Sequence, residues 1–262
     1  MINVTEAYKE AIKEDRIFDL QDKIILKDDT EIPLIMSDVL AYSINSATSS
    51  DSTFDVGSVV AAKLSLTIDN TDERFEDVDL TDARISTKIG LLVEDSFEYV
   101  TKGIFYINSA QDSGDTIVIE AYDKILFLDL PYAESTLAYP ATIREILQEA
   151  CTHCGITLDT TTIGTGANYI VNSRPATDSL TFRDIVSYCG KILGKYAYIS
   201  ADQKLKFAWY EKSNSPYEIT EQSSLTKNRS SMTITGARFG YTVTTVKEGE
   251  SEATEENKTA FV

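Results

Sequence analysis

The chain has 262 residues, of which 42% are hydrophobic, and carries 42 acidic against 24 basic side chains for a net charge of −18. That length suits one large or two modest domains, and the apolar share is enough for packed cores, which argues against disorder over most of the chain. The negative field repels phosphate, so specific nucleic-acid binding is not expected, nor adhesion to an anionic membrane surface.

No apolar run approaches the ~18–20 residues of a membrane helix, so no membrane insertion is expected. The first residues, Met1-Ile2-Asn3-Val4-Thr5-Glu6, show neither the basic nor the apolar region of a secretory signal. Three cysteines are an odd number in a chain of this size, so a disulfide framework is not expected and synthesis in a reducing compartment is.

Residues 5–13 predict a short amphipathic helix, with Ala7, Tyr8 and Ile12 near helical spacing and Thr5 as its cap. From about Arg16 to Tyr122 the pattern is that of strands. Lys23-Ile24-Ile25-Leu26 and Glu31-Ile32-Pro33-Leu34 flank Asp28-Asp29-Thr30 and predict a hairpin. Pro33 has no N–H to give to a ladder, which places its strand on an edge. Val60 to Ile68 alternates strictly, with Val60, Ala62, Leu64, Leu66 and Ile68 on one face and Lys63, Ser65 and Thr67 on the other. Further strands are predicted at 84–93, 97–109 and Thr116–Tyr122, the last after a turn at Gln111-Asp112-Ser113-Gly114. Successive strands with almost no helix between them predict an antiparallel sandwich or barrel.

The period changes after Pro131. Thr142-Ile143-Arg144-Glu145 is a capping box, followed by a helical face of Ile143, Ile146, Leu147, Ala150 and Cys154 and a stop at Gly155. Thr181-Phe182-Arg183-Asp184 repeats the opening, with Phe182, Ile185, Val186, Cys189 and Leu193 on one face and a stop at Gly194. Gly190 inside this second helix costs about 1 kcal/mol relative to alanine unless close packing needs it. Lys195–Ser200 and Lys204–Tyr210 then flank Ala201-Asp202-Gln203 as a hairpin. Beyond Pro216 a strand is predicted from Met232 to about Val246. The stretch from Lys247 to Lys258 carries five Glu and almost nothing apolar, so it is expected to be solvated and mobile.

Candidate chemistry is sparse. Cys151-Thr152-His153-Cys154, with Cys189 as a further ligand, is half of a zinc site, since structural zinc needs four ligands in two paired clusters. A haem box needs His directly after the second Cys, where Gly155 stands. A redox pair wants its thiolate at a helix N-terminus, whereas these thiols lie at a C-terminus, where the dipole opposes ionisation. The favoured reading makes Cys154 and Cys189 small core residues. His153 is the only histidine, and no Gly-x-Ser-x-Gly elbow accompanies it. The run Asp69, Asp72, Glu73, Glu76, Asp77, Asp79, Asp82 lacks EF-hand spacing and reads as a solvated loop. Gly164-Thr165-Gly166 lacks the lysine and helix of a phosphate cradle. No catalytic, cofactor-binding or metal-ligating residue is assigned, no cofactor is expected, and no enzyme activity.

Several segments nevertheless resemble one family in order and spacing. These are Thr53-Phe54-Asp55-Val56-Gly57-Ser58-Val59-Val60-Ala61-Ala62, then Thr101-Lys102-Gly103-Ile104-Phe105-Tyr106-Ile107, then Ala121-Tyr122-Asp123, and the helix–hairpin stretch from Thr181 to Phe207. Together they resemble the N-terminal region of phage and prophage tail hub proteins, the tail-associated or minor structural proteins. The resemblance implies an α+β, mainly β, chain: a β-barrel-like tube domain at 1–130, a small α+β domain of two helices and a hairpin at 131–214, and a partial second β domain with an acidic tail at 215–262. It implies a homotrimer of the full-length protein, with its two tube domains alternating in a pseudo-sixfold ring, and partners among the distal tail, tube and tip proteins. The place implied is the virion tail, assembled in the bacterial cytoplasm, with an acidic wall that DNA can slide past. The family pattern expects several more strands in the second tube domain than residues 215–262 provide, as in a short relative or a truncated product. Nothing in the chain matches the peptidoglycan-degrading domain that such proteins often carry. The alternative reading is a cell-surface glycan- or receptor-binding module, with the tyrosine-rich hairpin 195–210, including Tyr198 and Trp209, as its face.

Overall fold

The computed structural model describes residues 4–14, 16–49, 55–175, 179–210, 238–245 and 254–261, the last two segments as backbone only. The chain divides into two compact units, Met1–Ser213 and Asn214–Val262. The fold is α+β and mainly antiparallel sheet.

The first unit opens with helix α1 (Glu6–Ala11), capped by the Thr5 hydroxyl, which accepts the Tyr8 N–H at 3.1 Å. The helix buries none of its residues, so the apolar face read from the sequence stays largely uncovered. Eight strands follow: β1 (Phe18–Leu20), β2 (Asp22–Ile25), β3 (Glu31–Leu34), β4 (Val39–Asn45), β5 (Lys63–Asp69), β6 (Arg84–Val93), β7 (Ser96–Asp112) and β8 (Thr116–Tyr122). They form one sheet in the order β3-β2-β6-β7-β8-β5-β4, with β1 pairing the outer half of β6. Every pairing in it is antiparallel.

The β2–β3 hairpin turns as its sequence predicts. Asp29 takes φ +66, and the Asp28 carboxylate accepts the Thr30 N–H at 3.0 Å. Pro33 lies on the sheet's edge strand, where a missing donor leaves no ladder bond unmade.

The barrel expectation needs correction. β3 and β4 end the sheet and share no ladder, so it stays open. Part of the reason is local: β3 has four residues against seven in β4, and Pro33 removes one of its donors. The sheet curls all the same. Ile24, Leu34, Leu64, Ile85, Phe105 and Ile119, from six strands, meet in one buried core. Breaks of register at Thr87/Lys88, Ile107/Ser109 and Val39/Ala41 supply bends. Phe75, 3% exposed, reaches into that core from the loop after β5.

The alternating strand also begins later than its pattern suggests. Leu64, Leu66 and Ile68 are buried as expected, but pairing starts at Lys63 rather than Val60. Val59 leaves the sheet, bridges Ala197 and joins a second core. Periodicity reports which face is apolar and not which neighbour covers it.

The second core is built on β9 (Ala141–Thr142), helix α2 (Ile143–His153), β10 (Thr157–Leu158), β11 (Ile170–Val171), helix α3 (Phe182–Leu193), β12 (Tyr196–Ile199) and β13 (Lys204–Ala208). The helices pack on a small sheet of order β10-β13-β12, and β9 pairs β11. Both capping boxes form. Thr142 N–H donates to Glu145 at 2.8 Å and its hydroxyl accepts the Glu145 N–H at 3.2 Å; Thr181 and Asp184 repeat these distances. Each helix ends where glycine takes a left-handed conformation, Gly155 at φ +65 and Gly194 at φ +66. We expect Thr142→Ala and Thr181→Ala each to cost about 1 kcal/mol, read from urea unfolding midpoints. An unchanged midpoint in both would show that the caps are idle.

The second unit contains one described hairpin, β14 (Arg238–Thr245) paired antiparallel with β15 (Thr254–Phe261). The predicted strand at Met232–Val246 is matched over 238–245; residues 232–237 and 246 lie outside the described residues. The predicted solvated tail is corrected in part. Residues 254–258 belong to β15, with Glu256 opposite Val243 and Lys258 opposite Tyr241, while 247–253 lie outside the described residues. A ladder satisfies backbone groups whatever the side chains are, so acidic composition did not forbid a strand.

Candidate functional site

Cys151 and Cys154 from α2 and Cys189 from α3 are free and buried, at 0%, 6% and 3% exposure. Burial pushes their thiols up, to about 12 for Cys151, about 11 for Cys154 and about 12 for Cys189; neighbouring Cys154 adds to the first and Glu134 to the second. The thiols are therefore neutral at ordinary pH and poor nucleophiles or ligands. Cys151, absent from the predicted helical face, is the most deeply buried of the three.

His153 ends α2. Its Nε2 lies 3.0 Å from Glu134 Oε2, and its ring stacks on Phe182 at 4.6 Å between centroids. The geometry fastens the helix end to the turn at Tyr132–Glu134. Among the described residues no group of three His, Cys, Asp or Glu side chains is arranged to hold a metal ion.

The acidic run after β5 turns its carboxylates onto its own backbone. Asp69, Asp72 and Asp79 accept the N–H groups of Thr71, Arg74 and Thr81 at 3.0, 3.3 and 2.9 Å. Hydrogen bonds from Thr71 and Thr81 hold Asp69 and Asp79 below the usual carboxylate range. Buried Asn70 organises the loop: its Oδ1 accepts the Phe75 N–H at 3.0 Å and its Nδ2 donates to Gly114 O at 3.1 Å. A groove of about 480 Å³ runs beside it, with Phe75, Val78, Leu80 and Ile117 as apolar wall and Glu76, Asp79, Asp82 and Asp112 as acidic rim. The loop is thus partly a plug for the core, which its charge pattern concealed.

At Gly164-Thr165-Gly166 the chain makes a short 3-10 turn. Lys195 Nζ donates to the carbonyls of Thr162 and Ile163 at 2.6 and 3.1 Å, so this cation serves the loop itself.

The β12–β13 hairpin buries Ala197, Leu205 and Phe207. Its other face carries aromatics: Tyr196 lies 6.0 Å from Tyr198 and 5.1 Å from Tyr210, and Trp209 lies 5.6 Å from Tyr210, between ring centroids. Tyr198, Trp209 and Tyr210 are 37%, 41% and 41% exposed. Tyr210 is held by its hydroxyl, which donates to Thr48 at 2.8 Å.

Asp123, which the sequence marks only as the end of a resembling segment, staples the two cores. Its carboxylate accepts the N–H groups of Ala62 at 3.0 Å and Ile125 at 2.9 Å, and its own N–H donates to Ala62 O at 3.0 Å. Burial pushes the carboxyl up to about 6, against the pull of these two N–H donors and of Arg183. The folded state therefore holds a proton that the unfolded chain releases near pH 4, and stability falls as pH rises from about 4 to about 6. We expect this fall to be on the order of 2–3 kcal/mol. Asparagine does not titrate, so urea unfolding of Asp123→Asn should show the wild-type advantage at pH 4 shrinking by about that amount at pH 7. Parallel curves would reject the assignment.

No family model matches the chain, and no curated protein matches it. Among solved structures, the chain is similar to the 43 kDa tail protein of prophage MuSo2 from Shewanella oneidensis, at 11% identity and TM-score 0.45 over 76% of this chain and 57% of that one. The tail protein of Neisseria meningitidis MC58 is matched at 11% identity and TM-score 0.46, over 75% of this chain and 52% of that one. A chain of the half-lidded Francisella PdpA–VgrG complex is matched at 12% and TM-score 0.46, over 74% and 31%. The chain is similar to solved tail proteins. It spans little more than half the length of the two tail proteins.

Proposed function

We propose that this chain is a structural component of a phage-type tail, sited at the hub where tube meets tip, with its acidic surface facing the passage of DNA. The observation that carries the reading is the ordered set of segments that resembles tail hub proteins. Apart from Thr53 and Phe54, which lie outside the described residues, each resembling segment has a definite place: the link into β5, the middle of β7, the end of β8, and α3 with the β12–β13 hairpin. A net charge of −18 supports it, because a wall that repels phosphate lets DNA pass without sticking. On this reading the chain works by packing and charge, without catalysis, and the full-length protein is a homotrimer in contact with distal tail, tube and tip proteins.

The test is electron microscopy of tail particles that carry an epitope on the full-length protein, together with its mass in solution. Label at the tail tip and a trimeric mass are expected. A strictly monomeric protein absent from tail particles would sink the proposal. The exposed aromatics of the 195–210 hairpin favour a second reading, a module for a cell-surface glycan or receptor. Glycan-array binding that is lost in Tyr198→Ala would favour it, and no binding at millimolar ligand would remove it.

A further inference from the structure

The curled sheet of the first unit contains three polar side chains in its apolar interior. Asp22 of β2 and Thr87 of β6 are 1% and 0% exposed. The Thr87 hydroxyl donates to Asp22 Oδ1 at 2.6 Å, and the Tyr42 hydroxyl of β4 lies 2.7 Å from Thr87 Oγ1. Since Thr87 spends its one proton on Asp22, Tyr42 is the donor to Thr87. The Lys88 N–H completes the set by donating to the same Asp22 oxygen at 3.3 Å.

The position of these strands gives the contact its meaning. β4 ends the sheet, and β7, β8 and β5 separate it from β6. Measured through the sheet, four strand spacings of about 4.8 Å would put Tyr42 and Thr87 roughly 19 Å apart. Their hydroxyls touch only because the sheet curls until its last strand lies over β6 and β2. Between β3 and β4, where a barrel would close, no ladder forms. The connection between them, Ile35 to Asp38, is a single turn in which the Asp38 carboxylate accepts the Ile35 N–H at 3.0 Å and meets Arg74 at 3.1 Å.

We propose that Asp22, Thr87 and Tyr42 form a polar latch across the open seam of this sheet, and that the seam between β3 and β4 is the joint at which the unit opens. Apolar packing is non-directional and would tolerate several degrees of curl, whereas a chain of hydrogen bonds selects one. The latch carries a local cost. Asp22 Oδ2 has no hydrogen-bond partner among the described residues. Burial raises the Asp22 carboxyl and raises Tyr42 to about 12. Asp22 and Tyr42 are the titratable groups inside; Lys23, Glu31 and Lys88 line a separate shallow groove with Gln21, Ile25 and Ser86. At the seam β3 and β4 are each held by a ladder on one side alone, β3 by β2 and β4 by β5, so opening there frays these two edge strands first.

Hydrogen–deuterium exchange on the full chain tests this. In Tyr42→Phe, amides of residues 31–45 should exchange about tenfold faster, the loss of roughly one hydrogen bond, while those of β7 and β8 change by less than about twofold. Thr87→Val should match it, and the double variant should be no faster than either single variant, because both break one chain of bonds. Equal acceleration throughout the sheet would show that the three residues only add global stability, and no acceleration at 31–45 would show that they hold nothing; either overturns the latch. Tyr42→Phe removes one oxygen atom and keeps the ring, so it reads the outcome even if Thr87→Val fails to fold.

Discussion

Gly57→Ala is expected to destabilise this protein by about 3 kcal/mol or more, a large fraction of the total for a domain of ordinary stability. Gly57 has φ +82, which an L side chain adopts only under strain. A methyl group there would stand 2.6 Å from Ser187 O, 2.7 Å from Lys191 N and 2.4 Å from Lys191 Cγ. The first two are backbone atoms of α3 and cannot swing aside as a side chain can. The Gly57 N–H also donates to Lys195 O at 3.1 Å, so displacing the segment breaks a bond between the link and the β12 edge. Gly190 is the partner in this approach. In an exposed helix Gly→Ala gains about 1 kcal/mol, but here the added carbon would lie 2.9 Å from Lys195 O and 3.0 Å from Gly57 Cα. We therefore expect Gly190→Ala to lose about 1–2 kcal/mol. Chemical denaturation of both variants decides the matter, and a stabilised Gly190→Ala would refute the close-packing account.

Phe182→Ala is expected to cost about 3–5 kcal/mol. Phe182 is fully buried at the first turn of α3. Its ring meets Tyr132 edge-on at 5.3 Å and 85° and stacks under His153 at 4.6 Å. Truncation removes both ring contacts and leaves a cavity that three surrounding elements cannot close. Tyr132 is itself held in place: Arg174 donates to its carbonyl at 2.6 Å and lies over its ring at 4.7 Å. Phe182→Leu keeps most of the volume and should cost less than half as much as Phe182→Ala, about 1–1.5 kcal/mol. Thermal unfolding distinguishes the two; equal losses would mean that ring geometry, and not cavity volume, sets the cost.

Much of the local structure was legible in the residues. Thr142 with Glu145 and Thr181 with Asp184 marked the helix starts, because a capping box is closed within four residues. Asp28-Asp29-Thr30 and Ala201-Asp202-Gln203 marked turns, and Asp29 and Gln203 do take the positive φ values that turns require. Gly190 carried its own warning as a helical glycine with no local purpose. The signals that misled were of another kind. Val60 and Ala62 continued the alternation of β5, but Asp123, far along the chain, holds Ala62 at the joint and lets Val59 cross to the second core. The acidic run after β5 read as solvated, and Phe75 within it reaches the core because Asn70 and Gly114 shape the loop. Asp22 offered a faint clue: it occupies the inward position of an alternating strand, where an apolar residue belongs.

By itself the sequence determined strands β2, β3, β5 to β8, β12 and β13, the helices with their caps, the hairpin turns and the edge position of Pro33, while β1, β4 and the short strands of the second core carried no such signal. The features it determined rest on interactions between neighbours in the chain and on side-chain types that are present or missing. Tertiary structure alone decided that the sheet stays open, that Val59 serves the second core, that Asp123 staples the two cores, and that Tyr42 reaches Thr87 and Asp22 across the sheet's interior. Each of these depends on how far a sheet curls. Curl is set by the summed packing of strands distant in sequence, and no local period records it.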